Sequence, residues 1–342
     1  MVALLSVIIP CYNNGKYLVK MIDCFRHQTS PDWEMIIVDD GSSDDTPSVV
    51  KDCIKDLPNV YYLERNREPK GSVVCRNIGC ELSKGKYVCH LDADDLVSKT
   101  FVEKRVAFME AHPNIDYASF PAKSFSDENI LPTYETKTDT FGVGKDGMDL
   151  LKLFLRADYP FSVWNNIYRK EAIMKYTWDE TVKIYTDFSF IVPCILSDLR
   201  HSFSGLKEVD YYYRVTVNNK VAMTTNFVSS EKCDSTIYLF NKTLCQLEKR
   251  DDSNVRKRQF SYFIMLQIER LMTKNQKDEA DRLVSMLSKH YSSFFIYRLK
   301  LSYAIASHFD NFGIRRNVLF SLYIILFQNS NYIKRIFEHF SR

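Results

Sequence analysis

The chain has 342 residues, 45% of them hydrophobic and 26% charged, which are values of a globular protein and exclude wholesale disorder. Its net charge of +3 conceals an asymmetry: Arg250 to Arg342 holds sixteen Lys and Arg against eight Asp and Glu, so the first 249 residues are net acidic. A basic C-terminal stretch on such a body points to an anionic partner, lipid headgroups and nucleic acid being the two usual candidates.

Leu4 to Pro10 is an apolar run rich in β-branched residues, closed by a proline and then Asn13-Asn14-Gly15. That pattern predicts a buried strand entering a loop, and with no positive n-region it reads as a first strand rather than a secretory leader. From Tyr17 to His27 the residues Leu18, Met21, Ile22 and Phe25 recur at helical spacing. A second strand, Met35 to Val38, stops at Asp39-Asp40-Gly41-Ser42-Ser43-Asp44, and Thr46-Pro47 opens the next helix. Val60 to Leu63 predicts a third strand, Ser72 to Ser83 a helix, and Lys86 to Leu91 a fourth strand that runs into Asp92-Ala93-Asp94-Asp95.

Strand alternating with helix predicts an α/β fold, a mostly parallel sheet wrapped by helices. Right-handed crossovers place the strand C-termini along one edge, so the loops at Tyr12, Asp40 and Asp92 converge on one crevice. Residues 116–215 change character, with short strands at Tyr117–Pro121 and Val209–Tyr213, a polar loop, and helices at 147–156 and 186–198. From about Ser229 the chain reads as helical, which sets an expected division into 1–225 and a helical extension, 226–342. The nine cysteines include no C-x-x-C pair, and Cys24, Cys53, Cys89 and Cys194 sit inside apolar patterns. They read as reduced core thiols of a cytoplasmic protein, not as a disulfide framework or zinc site. No stretch reaches the ~18 uncharged apolar residues of a membrane-spanning helix.

Three carboxylates in four positions, Asp92, Asp94 and Asp95, repel one another unless a cation or dense hydrogen bonding compensates. Hard oxygen ligands suit Mg²⁺ or Mn²⁺, which fill their remaining positions with phosphate oxygens and water. The alternative is a solvated acidic turn, with Asp95 capping the following helix. Context bears on the choice. Val7-Ile8-Ile9-Pro10-Cys11-Tyr12-Asn13, Ile36-Ile37-Val38-Asp39-Asp40-Gly41-Ser42, Cys75-Arg76-Asn77-Ile78-Gly79 and Leu91-Asp92-Ala93-Asp94-Asp95 occur in that order.

This string resembles the catalytic core of the family 2 inverting glycosyltransferases of bacterial surface-polysaccharide synthesis, strongly over 4–115 and more loosely to about 225. The resemblance implies a GT-A, Rossmann-like fold, with 1–115 as the nucleotide-binding half and 116–225 as the acceptor half. It implies that Pro10 and Tyr12 lie beside the nucleotide base and that Asp40 accepts a hydrogen bond from it, while Asp39 braces the loop. Arg76 falls near the base and phosphates with Asn77 supporting it. Asp92 is the contact to ribose or metal, Ala93 belongs to the same nucleotide-sugar site, and Asp94 is the principal ligand of a Mn²⁺ or Mg²⁺ ion. Asp95 is expected to brace the following helix. Asp187, in Tyr185-Thr186-Asp187-Phe188, matches the general base, with a helix N-cap as its structural alternative. Trp164 matches the family's W-x-K-x-Y-R segment, with Asn166 where a lysine is frequent, and Arg214 ends a Y-Y-R strand. The Lys220–Thr224 segment lacks the serine of the family's diphosphate lid.

The expected reaction is transfer of a hexose or N-acetylhexosamine from a UDP-sugar to a glycan acceptor, free or polyprenyl-diphosphate-linked, with inversion. The rival readings are an inactive nucleotide-sugar-binding module and a sugar nucleotidyltransferase. No nucleic acid partner is expected, and the helical region offers a surface for a homo-oligomer. The basic stretch 313–342, with Arg315, Arg316, Lys334, Arg335 and Arg342 around an apolar face, suits a peripheral contact with the inner leaflet; packing on the protein's own body is the alternative.

Overall fold

The structure is a computed structural model and describes residues 4–126, 129, 131–133, 135–136, 139–197, 199–215 and 229–306. Its first part alternates as the sequence predicts: β1 (Leu5–Cys11), α1 (Gly15–Arg26), β2 (Trp33–Asp39), α2 (Thr46–Cys53), β3 (Val60–Glu64), α3 (Ser72–Leu82) and β4 (Tyr87–His90). There follow β5 (Leu96–Val97), α4 (Phe101–Ala111), β6 (Tyr117–Ser119), β7 (Ala122–Phe125), β8 (Thr140–Phe141) and α5 (Leu150–Leu155). The region closes with β9 (Asn166–Arg169), α6 (Lys170–Ile173), α7 (Thr186–Leu196), β10 (His201–Phe203) and β11 (Tyr211–Arg214).

Seven strands form one sheet in the order β10-β6-β9-β4-β1-β2-β3. β1 pairs in parallel with both β2 and β4, and β2 with β3. The chain therefore winds outward from β1 to β3 and returns to the other side of β1 at β4, which opens a crevice at the strands' C-terminal ends. Nearly every residue of β1, β2 and β4 is buried, as expected for strands covered on both faces. Gly79 of α3 explains how closely a helix lies on this sheet: a Cβ there would stand 2.4 Å from Ile8 Cγ2.

Two features go beyond the sequence expectation. β9 runs antiparallel to β4 and β6, and a second sheet forms in the order β5-β11-β7-β8. These strands are two to four residues long, so distant partners rather than local pattern define them. A buried ion pair sets one of them: Arg105 of α4 donates from Nε and Nη2 to the two oxygens of Asp210 at 2.8 and 2.9 Å, just before β11.

By compactness the chain divides into Met1–Phe154 with Tyr159–Ala222, and Leu155–Asp158 with Met223–Arg342. The described part of the second unit is helical: α8 (Ser230–Leu247), α9 (Ser253–Thr273), α10 (Lys277–Leu287) and α11 (Ser293–Ala306). Phe240, Leu244, Phe260, Phe263, Ile264, Leu283 and Leu287 are buried within it, with Phe240 edge-on to Phe260 at 5.0 Å. No helix among the described residues is long and apolar enough to cross a membrane. The stretches 220–224 and 313–342 lie outside the described residues.

Candidate active site

The loops after β1 and β2 are tied to each other. Asn13 donates its backbone N–H to Ser42 Oγ at 2.8 Å, and its side-chain oxygen accepts from the Ser43 N–H at 2.8 Å. Asp39 accepts from the Ser42 N–H at 3.0 Å, from Ser42 Oγ at 2.6 Å and from the Tyr62 hydroxyl, so its carboxylate is consumed in holding the turn. Asp40 differs. Its Oδ1 accepts from Arg65 Nε at 2.6 Å and the Gly71 N–H at 3.0 Å, while no described residue bonds to its Oδ2. Beside it Tyr12 is 47% exposed, with the Lys70 ammonium 3.9 Å from its ring centre. Pro10 occupies the penultimate position of β1.

Arg76 is only 4% exposed on α3. Its guanidinium donates to Asp92 Oδ1 at 2.5 Å and lies 4.8 Å from the Trp178 ring. Asn77 exchanges hydrogen bonds with the Trp178 backbone and also donates to Glu180. It therefore ties α3 to the loop that leads into α7.

The acidic turn after β4 is crowded with negative charge. Burial pushes the Asp92 carboxyl up to about 6; Arg76 opposes the rise, while Asp94 and Asp187 add to it. Asp94 is raised by burial and opposed by its own N–H and by Arg214, and no described side chain donates to its carboxylate. Asp95 is fully buried and raised well above the ordinary carboxylate range, by burial first and then by Asp94 and Asp92.

The expectation that Asp95 braces the next helix is corrected here. Thr100 precedes α4, and Asp95 turns instead to β11, accepting from the Tyr211 hydroxyl at 2.5 Å and the Arg214 N–H at 2.7 Å. The Tyr211 hydroxyl also accepts from the Asp92 N–H at 3.3 Å. One hydroxyl thus joins both ends of the Asp92-Ala93-Asp94-Asp95 turn. Arg214 Nε donates to the Asp94 carbonyl at 2.5 Å, which places the guanidinium beside the turn, 4.7 Å from the Tyr17 ring.

Asp187 is the second residue of α7 and lies in its first turn, after Tyr185, which holds the cap position in a left-handed conformation. The Ser162 hydroxyl donates to its Oδ2. Asp187 also raises the carboxyl of Asp92, which brings the two carboxylates into one electrostatic neighbourhood. Trp164 is buried and stacks on Tyr211 at 4.9 Å and on Tyr213 at 5.3 Å. Burial pushes the Tyr213 hydroxyl up to about 12, with Asp95, Asp92, Asp94 and Asp187 all contributing, so it faces the same cluster.

Several participants gave no sequence signal. Ser162 and Asp187 are 25 residues apart, and Arg67, which donates to Glu180 at 2.8 Å, is 113 residues from its partner. No local motif links such pairs. Tyr211 and Tyr213 were visible as an aromatic strand, but their contacts to the acidic turn depend on β11 pairing with β5.

Acidic and aromatic groups thus gather at the C-terminal edge of a mostly parallel sheet, on either side of its switch point, which is where α/β proteins of this architecture take their ligands. Residues 6–187 match the family described as Glycosyl transferase family 2, and the chain belongs to that family. It is 28% identical to the minor teichoic acid biosynthesis protein GgaB of Bacillus subtilis over 258 residues, 73% of this chain and 27% of GgaB. The chain thus spans about a quarter of that relative's length. The structure of S. aureus TarS 1-349 in complex with UDP-GlcNAc superposes with a TM-score of 0.65 at 16% identity, covering 94% of this chain and 89% of that one. The mannosyltransferase PcManGT from Pyrobaculum calidifontis, in complex with GDP-Man and Mn²⁺, gives a TM-score of 0.52 at 14% identity over 94% and 85%. The fold is GT-A.

Proposed function

We propose that this chain transfers a hexose or N-acetylhexosamine from a UDP-sugar to a hydroxyl of a glycan acceptor, with inversion, in the assembly of a teichoic-acid-like or related cell-surface glycan. The observation that carries the reading is the convergence of Tyr12, Asp40, Arg76, Asp92, Asp94 and Asp187 on one sheet edge. The UDP-GlcNAc complex of the structurally similar TarS and the teichoic acid role named for GgaB support the donor and the setting.

In this reading Tyr12 supplies an exposed face for the base, and the open Oδ2 of Asp40 accepts a base N–H. Arg76 and Asp92 orient the ribose and diphosphate, with Ala93 buried in the same turn. Asp94 and Asp92 fit a hard divalent cation: they are all-oxygen donors, crowded and raised by burial, and Asp94 lacks a described side-chain donor. Such an ion, Mn²⁺ or Mg²⁺, would offset charge on the departing diphosphate; the Mn²⁺ complex of PcManGT supports it. Asp187 removes the acceptor hydroxyl's proton as that oxygen bonds to the anomeric carbon and UDP leaves from the opposite face. Trp164 contributes through its stack with Tyr211 and Tyr213, which shapes the wall beside the acidic turn.

UDP release from a panel of UDP-sugars, with and without Mn²⁺, tests the proposal. Asp187→Asn is expected to lower kcat about 10²–10⁴-fold with donor binding retained. Asp94→Ala is expected to abolish the metal response. Metal-independent behaviour with every donor, unchanged in Asp94→Ala, overturns the reading. Nucleotidyl transfer in place of UDP release would favour the nucleotidyltransferase alternative.

A further inference from the structure

The helical unit brings together three residues of metal-ligating type that no motif connects. Cys245 and Glu248 are three residues apart at the C-terminal end of α8, hence on one side of it, and His290 lies in the turn between α10 and α11. One ligand atom from each lies within 4.8 Å of the other two. In a tetrahedral site with bonds of about 2.0–2.3 Å, ligand atoms stand about 3.3–3.8 Å apart. Cys245 and Glu248 are exposed, so rotamer adjustment closes the difference without moving a helix.

The imidazole carries the argument. The His290 side chain is 7% exposed, and both its nitrogens face oxygen: Nε2 lies 2.9 Å from Asn241 Oδ1, and Nδ1 lies 3.1 Å from Glu248 Oε1. A neutral imidazole has one N–H for these two acceptors. With Nε2–H donated to the Asn241 amide oxygen, the Nδ1 lone pair lies on the side of Glu248, the orientation in which a ring nitrogen can join a carboxylate at a metal. A ring N–H donated to an amide oxygen is the outer-shell contact that orients a metal-bound histidine. Lys257 Nζ, 3.1 Å from Glu248 Oε1, occupies the same carboxylate oxygen and leaves Oε2 to turn toward the thiol.

We propose that Cys245, Glu248 and His290 form a site for a divalent ion of the zinc class, completed by water, that clips α8 to the turn between α10 and α11. A thiolate, an imidazole and a carboxylate select Zn²⁺ or Co²⁺, whereas the all-oxygen turn at Asp92 and Asp94 suits Mn²⁺ or Mg²⁺. The two sites therefore differ in ion class, and this one does not depend on the reaction proposed above.

The full chain, stripped of metal, is titrated with Co²⁺ and then with Zn²⁺. The expected result is a thiolate-to-Co²⁺ charge-transfer absorption that Zn²⁺ displaces. It is lost in Cys245→Ser, weakened about 10–100-fold in affinity in Asn241→Ala, and retained in Asp94→Ala. Zn²⁺ raises the melting temperature of the parent chain and not of Cys245→Ser. Circular dichroism of Cys245→Ser checks that the variant is folded, and the exposure of Cys245 favours that outcome. Absence of the band in the parent chain, or a band that survives Cys245→Ser, overturns the proposal and leaves a histidine–carboxylate contact alone.

Discussion

Asp92 sits where four charges meet. Burial outweighs the attraction of Arg76, and repulsion from Asp94 and Asp187 adds to it, so the carboxyl is held up to about 6 against an ordinary 3.8. Without metal, Asp92 consequently holds its proton in the folded chain more than in the unfolded chain between about pH 4 and 6. The contribution of Asp92 to stability then falls as pH rises through that window, the reverse of an ion-paired aspartate. Asp92→Asn removes this contribution and is expected to shift the slope of stability against pH upward, read as urea midpoints across the window in the presence of a chelator. An unchanged slope would show that Asp92 ionises freely. The same crowding separates the roles of neighbouring acids that look alike in sequence. Asp39 is saturated by Ser42 and Tyr62 and Asp95 by Tyr211 and Arg214, whereas Asp40 and Asp94 keep oxygens that no described side chain claims.

At the scale of elements, β11 and α3 decide how sharply the site is formed. The Tyr211 hydroxyl joins the Asp92 N–H to the Asp95 carboxylate, and the Arg105–Asp210 pair anchors the start of that strand. Tyr211→Phe keeps the ring stacked on Trp164 but leaves a fully buried acid one donor short, a cost of about 1–3 kcal/mol. The expected consequence is weaker Mn²⁺ binding, measured by titration, with little change in the far-ultraviolet spectrum; unaltered Mn²⁺ affinity would mean the turn holds its shape without β11. On α3 the constraint is steric. Gly79→Ala brings a methyl 2.4 Å from Ile8 Cγ2 in β1 and is expected to destabilise the chain by about 1–3 kcal/mol in denaturant melts, as overpacking does. Arg76 and Asn77 ride on the same helix, so the shift that relieves the clash should also raise the donor KM. The glycine was visible in the sequence beside Arg76 and Asn77, but its reason was not, because the neighbour it makes room for is 71 residues away.

For the molecule as a whole, legibility followed sequence distance. β1, β2 and β4 and their loops were readable because each buried run ends in its own polar turn, and parallel topology then brings those turns together. The second sheet, the Ser162–Asp187 contact and the grouping of Cys245 with His290 were not, since each rests on pairing between segments that share no local pattern. Reading the cysteines by spacing alone missed the last of these: Cys245 is exposed and its companions are a carboxylate and an imidazole. The basic stretch 313–342 is legible in sequence and lies outside the described residues, so its role stands as a proposal. Its five Lys and Arg each contribute about 1 kcal/mol at an anionic lipid surface, and the attraction decays within a Debye length. An apolar face of Val318, Leu319, Leu322, Ile325 and Leu326 would add burial that salt does not screen. Deleting 313–342 is therefore expected to release the protein from vesicles containing anionic lipid while transfer to a soluble acceptor survives. Salt should weaken the parent chain's binding only partly, because the apolar term remains. Sedimentation with anionic and with neutral vesicles separates the terms: unchanged partitioning after the deletion assigns membrane contact elsewhere, and equal binding to neutral vesicles removes the electrostatic part.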